Sequence, residues 1–221
     1  MNTIRRPVKA VVFDFDYTLA DSSTGAVDSF RYALERLGLP QPRDIDIRET
    51  IGLSLEAAFR RLVDPDHWRN SEQFAVHYMH RADQVVAANT TLYGSVPHVI
   101  EALVARGLSL AIVSNKLRYR VHSILEREGI TDRFEVVVGA EDVDEQKPDP
   151  SGLLLALGEM GRSPAEVLYV GDSVVDGETA RRAGVAFVGV LSGVTPEAAI
   201  RAYYPRAVLH DLRELPALVD G

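Results

Sequence analysis

The chain has 221 residues, with 24 Lys and Arg against 32 Asp and Glu, a formal charge of −8, and no cysteine. With 46% hydrophobic and 25% charged residues it has the composition of a globular protein large enough to bury a core unaided. That excludes intrinsic disorder, collagen-like repeats and a disulfide scaffold.

Lacking cysteine, the chain has no thiolate metal site, iron–sulfur ligation or cysteine nucleophile, and the acid excess argues against a binder of nucleic-acid phosphates. Arg5, Arg6 and Pro7 precede an apolar run broken by Lys9. That run is too short for a secretory signal, and no stretch approaches the roughly 18 apolar residues of a membrane span. The expectation is a soluble, cytoplasmic protein with no nucleic-acid or membrane partner. Against a typical domain of roughly 150 residues, the length allows one domain carrying a sizeable insertion.

Residues 8–15 form the first predicted strand, a near-continuous β-branched apolar run that suits a parallel strand covered on both faces. At its carboxyl end stands Asp14-Phe15-Asp16-Tyr17-Thr18. Strand alternation puts Asp14 and Asp16 on one side. Two close carboxylates are unfavourable unless one is protonated or a cation lies between them; a solvated strand end is the alternative.

Residues 22–88 carry only helical patterns. Ala26, Val27, Phe30, Ala33, Leu34 and Leu37 form a stripe before Gly38, and a linker over 39–43 holds Pro40 and Pro42. Leu55, Ala58, Phe59 and Leu62 form a second stripe behind a Ser54 cap, and Phe74, Tyr78, Ala82, Val85 and Val86 a third behind Ser71. This is a helical insertion after the first strand.

From there strands and helices alternate. A helix over 95–106 stops at Gly107, and a strand over 109–114 ends in Ser114-Asn115. A hydroxyl and a backbone N–H at a strand-to-helix turn can seat an anion or simply cap the helix. A helix over 117–128 ends at Gly129, and a third strand covers 135–139. In Gln146-Lys147-Pro148-Asp149-Pro150 two prolines fix a loop. Its Lys147 is either solvated or a point charge for a phosphoryl oxygen or a carboxylate.

A Leu-rich helix over 151–161 leads to a strand over 167–171, which ends in Gly171-Asp172-Ser173-Val174-Val175-Asp176. A helix over 176–183 and a strand over 185–191 follow. Repeated strand–helix–strand units imply a parallel sheet with right-handed crossovers, and open sheets of this kind bind ligands at the carboxyl ends of their strands. Carboxylate oxygens without sulfur or clustered nitrogen suit Mg2+.

Four strand ends thus carry, in order, a paired aspartate, Ser-Asn, a Lys-Pro loop and Gly-Asp-x-x-x-Asp. In this combination the sequence resembles the haloacid dehalogenase superfamily over essentially its whole length. The helical insertion is similar to that family's C1 cap, and the layout is most similar to phosphoglycolate-phosphatase-like members. The resemblance implies an α/β fold: a Rossmann-like parallel sheet core flanked by helices, residues 1–20 and 91–221, with an inserted all-helical cap over 21–90.

It further implies a Mg2+-dependent phosphatase acting on a small phosphorylated metabolite through an aspartyl-phosphate. Asp14 would be the nucleophile and Asp16 the general acid and base. Mg2+ would be held by Asp14, the backbone carbonyl of Asp16, Asp172 and Asp176. Ser114, the backbone N–H of Asn115 and Lys147 would surround the phosphoryl group, and Thr18 would support the loop. Asp16 separates the chain from the dehalogenases proper, which lack a carboxylate there. Phosphonate hydrolysis is disfavoured because no Lys lies between Lys9 and Lys116.

Two positions depart from the family pattern. Tyr17 stands where glycine is usual, implying an allowed conformation or a bulky group facing the cap. Leu92-Tyr93-Gly94-Ser95-Val96 stands where a Pro-Gly pair is usual, at the hinge. Thr50-Ile51-Gly52 resembles the substrate-specificity loop, with Arg48 beside it to recognise a carboxylate or a second phosphate; Arg48, Gly52 and Tyr17 are the specificity candidates. His67, His77 and His80 lack a metal-site spacing. Phosphoglycolate, sugar phosphates, nucleotides and pyrophosphate are candidate substrates. A phosphomutase of the β-phosphoglucomutase type and a non-catalytic phospholigand-binding module are the alternatives, and monomer and homodimer both stay open.

Overall fold

The structure, a computed structural model, describes residues 7–219; Arg5, Arg6 and the ends of the expected core lie outside them. In chain order, β1 (Ala10–Phe13) and β2 (Ala20–Asp21) are followed by four helices, α1 (Ser23–Arg36), α2 (Asp44–Arg48), α3 (Leu55–Leu62) and α4 (Ser71–Val85). Then come β3 (Thr91–Leu92), α5 (Val96–Val104), β4 (Ser109–Val113), α6 (Arg118–Glu128), β5 (Val136–Val138) and α7 (Ser151–Glu159). The chain closes with β6 (Val167–Gly171), α8 (Val174–Ala183), β7 (Ala186–Val190), α9 (Glu197–Arg201), β8 (Ala207–Leu209) and α10 (Leu215–Val219).

Six strands form one parallel sheet in the order β5-β4-β1-β6-β7-β8. The residues of β1 explain why: all four are fully buried, and their side chains alternate between two apolar layers. Val11 and Phe13 join Ile100 and Leu103 of α5 and Ile124 of α6, while Ala10 and Val12 join Leu153 of α7, Ala180 of α8 and Ile200 of α9. Strand order reverses at β1, between β4 and β6, so the crevice at their carboxyl ends is the topological switch point.

The four helices α1–α4 build a third apolar cluster around Phe30, Leu34, Ile47, Phe59 and Phe74. Its rings meet at 4.5 Å between the Phe59 and Phe74 centroids and 4.9 Å between Phe30 and Phe74. The chain enters and leaves this layer through β2 and β3, which pair antiparallel, Ala20 with Leu92 and Asp21 with Thr91. Two-residue strands show no period in a sequence, and neither they nor β8 were expected. No helix among the described residues is long and apolar enough to cross a membrane.

Some boundaries differ from expectation. β1 ends at Phe13 rather than at residue 15. α8 starts at Val174 because Ser173 caps it, its hydroxyl accepting from Asp176 N–H while the Asp176 carboxylate accepts from Ser173 N–H. α4 is preceded by Asn70, with Ser71 as its first residue. The Ser54 hydroxyl does cap α3, accepting from Ala57 N–H at 3.3 Å.

Candidate active site

The site begins where β1 stops. Asp14 N–H donates to the Val170 carbonyl at 2.8 Å, continuing the ladder with β6 for one more residue and burying the side chain. The chain then turns sharply: the Phe15 carbonyl accepts from Thr18, Leu19 and Ala20 N–H at 3.3, 2.9 and 3.1 Å. Asp16 therefore lies in the turn and not on the strand, contrary to the alternation argument; it forms only an isolated bridge with Ala20.

Tyr17 takes φ 60°. It thus retains the left-handed conformation that a glycine would adopt without strain, rather than moving to an ordinary one. Its ring is buried, and burial raises the pKa of its hydroxyl, against the opposing effect of Ser23 and Arg48 beside it.

Three buried carboxylates converge. Asp14, Asp172 at the end of β6 and Asp176 in the first turn of α8 each present an oxygen within 4.8 Å of the others. Two glycines allow this approach. A Cβ on Gly171 would sit 2.4 Å from the Asp176 side chain, and one on Gly193 only 1.9 Å from Asp172 Oδ2.

Lys147 enters the same cluster, with Nζ 2.6 Å from Asp14 Oδ1, 2.8 Å from Asp176 Oδ1 and 3.1 Å from the Tyr169 hydroxyl. Its loop is anchored by Asn115, whose Oδ1 accepts from Lys147 N–H at 2.9 Å and whose Nδ2 donates to the Lys147 carbonyl at 3.1 Å. The same Nδ2 lies 3.0 Å from the Gly52 carbonyl in the loop between α2 and α3. Thr18 Oγ1 donates to Asp172 Oδ1 at 3.2 Å.

Burial pushes the Asp14 carboxyl up to about 7, against the opposing charge of Lys147. Burial also holds Asp172 well above the usual carboxylate range, reinforced by the charges of Asp176 and Asp14. For Lys147 burial works against the charged form, but Asp14 and Asp176 outweigh it and keep the ammonium protonated. One cation thus faces three carboxylates. Hard, buried oxygen donors of this kind, three carboxylates against one ammonium, fit a divalent cation such as Mg2+; both Asp176 oxygens are already engaged by Lys147, Tyr169 and Ser173.

Asp16 is held separately. Ser22 Oγ donates to its Oδ1 at 2.5 Å and Lys116 Nζ lies 3.1 Å from its Oδ2. It borders a cavity of about 290 Å³ between the α1, α3 and α4 side chains and the strand ends. Ser114, Asn115 and Gly52 line that cavity; Arg48 and Tyr17 do not. Arg48 instead donates to the Ser23 hydroxyl at the start of α1 and does not line this cavity. A second cavity, about 390 Å³, shares Thr18 with the site but none of the clustered carboxylates.

Several residues were not foreseen. Lys116, Ser22 and Tyr169 contact the site's carboxylates, and Arg120 of α6 reaches over to α4, with Nη2 2.6 Å and Nε 2.9 Å from Asp83 Oδ1. Only Lys116 had a signal, its position directly after Ser114-Asn115; the others read as ordinary core, cap or surface residues.

Residues 11–190 match the family model for haloacid dehalogenase-like hydrolases. Over 221 aligned residues the chain is 32% identical to a phosphoglycolate phosphatase of Yersinia pestis, spanning 96% of this chain and 94% of that protein. It is 27% identical to the pyrophosphatase PpaX of Oceanobacillus iheyensis, over 96% and 97% of the two chains. A Bacteroides fragilis crystal structure described as a haloacid dehalogenase-like hydrolase superposes with a TM-score of 0.89 at 42% identity, over 94% of this chain and 99% of that one.

Proposed function

Since the chain belongs to the haloacid dehalogenase-like hydrolase family, we propose that it is a Mg2+-dependent phosphatase that hydrolyses a small phosphate monoester through a phosphorylated Asp14. The observation that carries this reading is the buried Asp14 carboxylate, gathered with Asp172 and Asp176 and fixed by the Lys147 ammonium. The phosphatase names of relatives matched over nearly their whole length support it.

In the first step an Asp14 oxygen attacks phosphorus, an acyl-phosphate bond forms, and the bond from phosphorus to the ester oxygen breaks. Asp16 gives its proton to the departing alkoxide. In the second step water attacks phosphorus and gives a proton to Asp16, and the Asp14 bond breaks to release inorganic phosphate. One carboxylate thus serves as nucleophile while its neighbour holds a proton.

Asp14, the Asp16 backbone carbonyl and Asp172 would hold Mg2+, with Asp176 orienting the ion's waters or binding it directly, and the ion's charge would offset that of the phosphoryl oxygens. The Ser114 hydroxyl and Asn115 N–H would bind the phosphoryl group. Lys147 would fix the Asp14 orientation and add positive charge where the transition state gathers negative charge. On this reading the helices of residues 21–90 act as a cap over a core formed by residues 1–20 and 91–221.

The test is turnover of p-nitrophenyl phosphate. Hydrolysis that requires Mg2+, stops on chelation and is lost in Asp14→Asn supports the reading; no turnover by the unmodified protein with Mg2+ sinks it.

A further inference from the structure

The cavity beside Asp16 is uneven in character. At its floor are polar groups, namely Asp16, Ser22, Ser114, Asn115 and Lys116. Its upper wall, from the loop after α2 and from α1, α3 and α4, is apolar and includes Phe30, Leu53, Leu55, Tyr78 and Met79. Burial in this wall pushes the Tyr78 hydroxyl up to about 12, the mark of a weakly polarisable environment.

The lining holds two cations, and neither belongs to the apolar wall. Lys116 lies 3.1 Å from Asp16 Oδ2 at the floor. Arg120 is spent on Asp83 and on the Met79 carbonyl, the latter at 3.2 Å. Arg48, the residue best suited by sequence to receive an anion, is turned to Ser23 and lies outside the lining.

Resting on the phosphatase reading, we propose that the substrate is a phosphate monoester of an uncharged alcohol with an aliphatic or aromatic body. A second anionic group on the leaving side, as in phosphoglycolate or pyrophosphate, is disfavoured. Such a group would be taken from water and set against Phe30, Leu53 and Met79, with Arg120 already paired to Asp83 and Lys116 held at the floor beside Asp16, and a poorly paired charge in apolar surroundings is penalised. An apolar body gains from the same wall, and the size of the cavity, about 290 Å³, admits a single small ring or a short chain beside the phosphate.

The experiment compares benzyl phosphate with phosphoglycolate by phosphate release from the Mg2+-loaded protein. The expected kcat/KM for benzyl phosphate is higher by at least about tenfold. Equal or better turnover of phosphoglycolate overturns the inference, while p-nitrophenyl phosphate turnover reports separately on the phosphatase reading. Calorimetric binding of 2-phenylethylphosphonate against 3-phosphonopropionate decides the question even if nothing is turned over: tighter binding of the phenyl compound supports it, and the reverse order contradicts it. Leu53→Arg, which places a free cation in the wall, should swing the ratio toward phosphoglycolate by about tenfold or more; an unmoved ratio shows that the wall does not meet the leaving group.

Discussion

Lys147 Nζ lies 2.6 Å from Asp14 Oδ1, with both side chains almost wholly buried. The same ammonium lies 2.8 Å from Asp176 Oδ1. It is the cation that makes a cluster of three interior carboxylates tolerable to the fold, as well as an element of the proposed chemistry. Removing one partner of a buried ion pair costs about 3–5 kcal/mol, because the other charge is stranded. Lys147→Met should therefore lower the unfolding free energy of the metal-free protein by about that amount. Urea unfolding monitored by circular dichroism measures it. A loss below about 1 kcal/mol, the range of an exposed pair, would show that the ammonium is not needed for balance.

The pH dependence of the metal-free protein follows from Asp14. Its carboxyl is raised from 3.8 to about 7 in the folded state, so the folded form holds this proton more tightly than the unfolded form. The stability this lends is complete at low pH and is lost as pH rises through about 7. Mg2+ must displace that proton to bind, so its stabilising effect should grow with pH. Thermal melts with Mg2+ and with chelator should differ more at pH 8 than at pH 5. An equal or larger shift at pH 5 would contradict a metal site built on Asp14.

Arg120 and Asp83 join α6 of the sheet layer to α4 of the helical layer, and the Tyr119 hydroxyl donates to the same carboxylate. Asp83 is exposed and Arg120 buried, so cutting the link should cost little stability, about 1 kcal/mol, but should loosen the approach of the two layers. Asp83→Ala should raise KM for p-nitrophenyl phosphate several-fold while Tm falls only slightly. Unchanged KM would show that this contact does not govern access to the cavity.

Tyr17 sets two effects against each other. Glycine at its φ of 60° would relieve about 1–2 kcal/mol of backbone strain, but deleting a buried aromatic ring costs about 3–5 kcal/mol. Packing should win, leaving Tyr17→Gly less stable by about 2–4 kcal/mol, the difference of those terms with the added entropy of glycine. Chemical denaturation tests this; a variant as stable as the parent would mean that the ring contributes no packing.

The parallel sheet and the main helices were legible because β-branched apolar runs and 3.6-residue stripes are local signals, as Val11 to Phe13 and the Phe30–Leu34 stripe show. The residues the structure gathers, Asp14, Lys147, Asp172 and Asp176, were legible because they stand at a strand end, in the turn of helix that follows one, or in the proline-fixed loop after β5. What the sequence concealed depends on non-local geometry. Asp16 leaves the strand because the chain turns at Tyr17, and no alternation rule anticipates that turn. Arg48 lies beside Thr50-Ile51-Gly52 in sequence but donates to Ser23, a contact that the sequence does not announce. Lys116, Ser22 and Arg120 acquire their roles only when α1, α4 and α6 meet across the cavity, and the partner of a charged side chain is not written in its neighbours.

Asp14 is the covalent carrier of phosphate in the proposed reaction, and acid quenching during steady-state turnover, followed by peptide mass spectrometry, tests that directly. One phosphoryl group is expected on the peptide spanning residues 10–31, located at Asp14. A phosphoryl group on a different side chain, or an unmodified peptide recovered from enzyme quenched while a slow substrate saturates it, would contradict it.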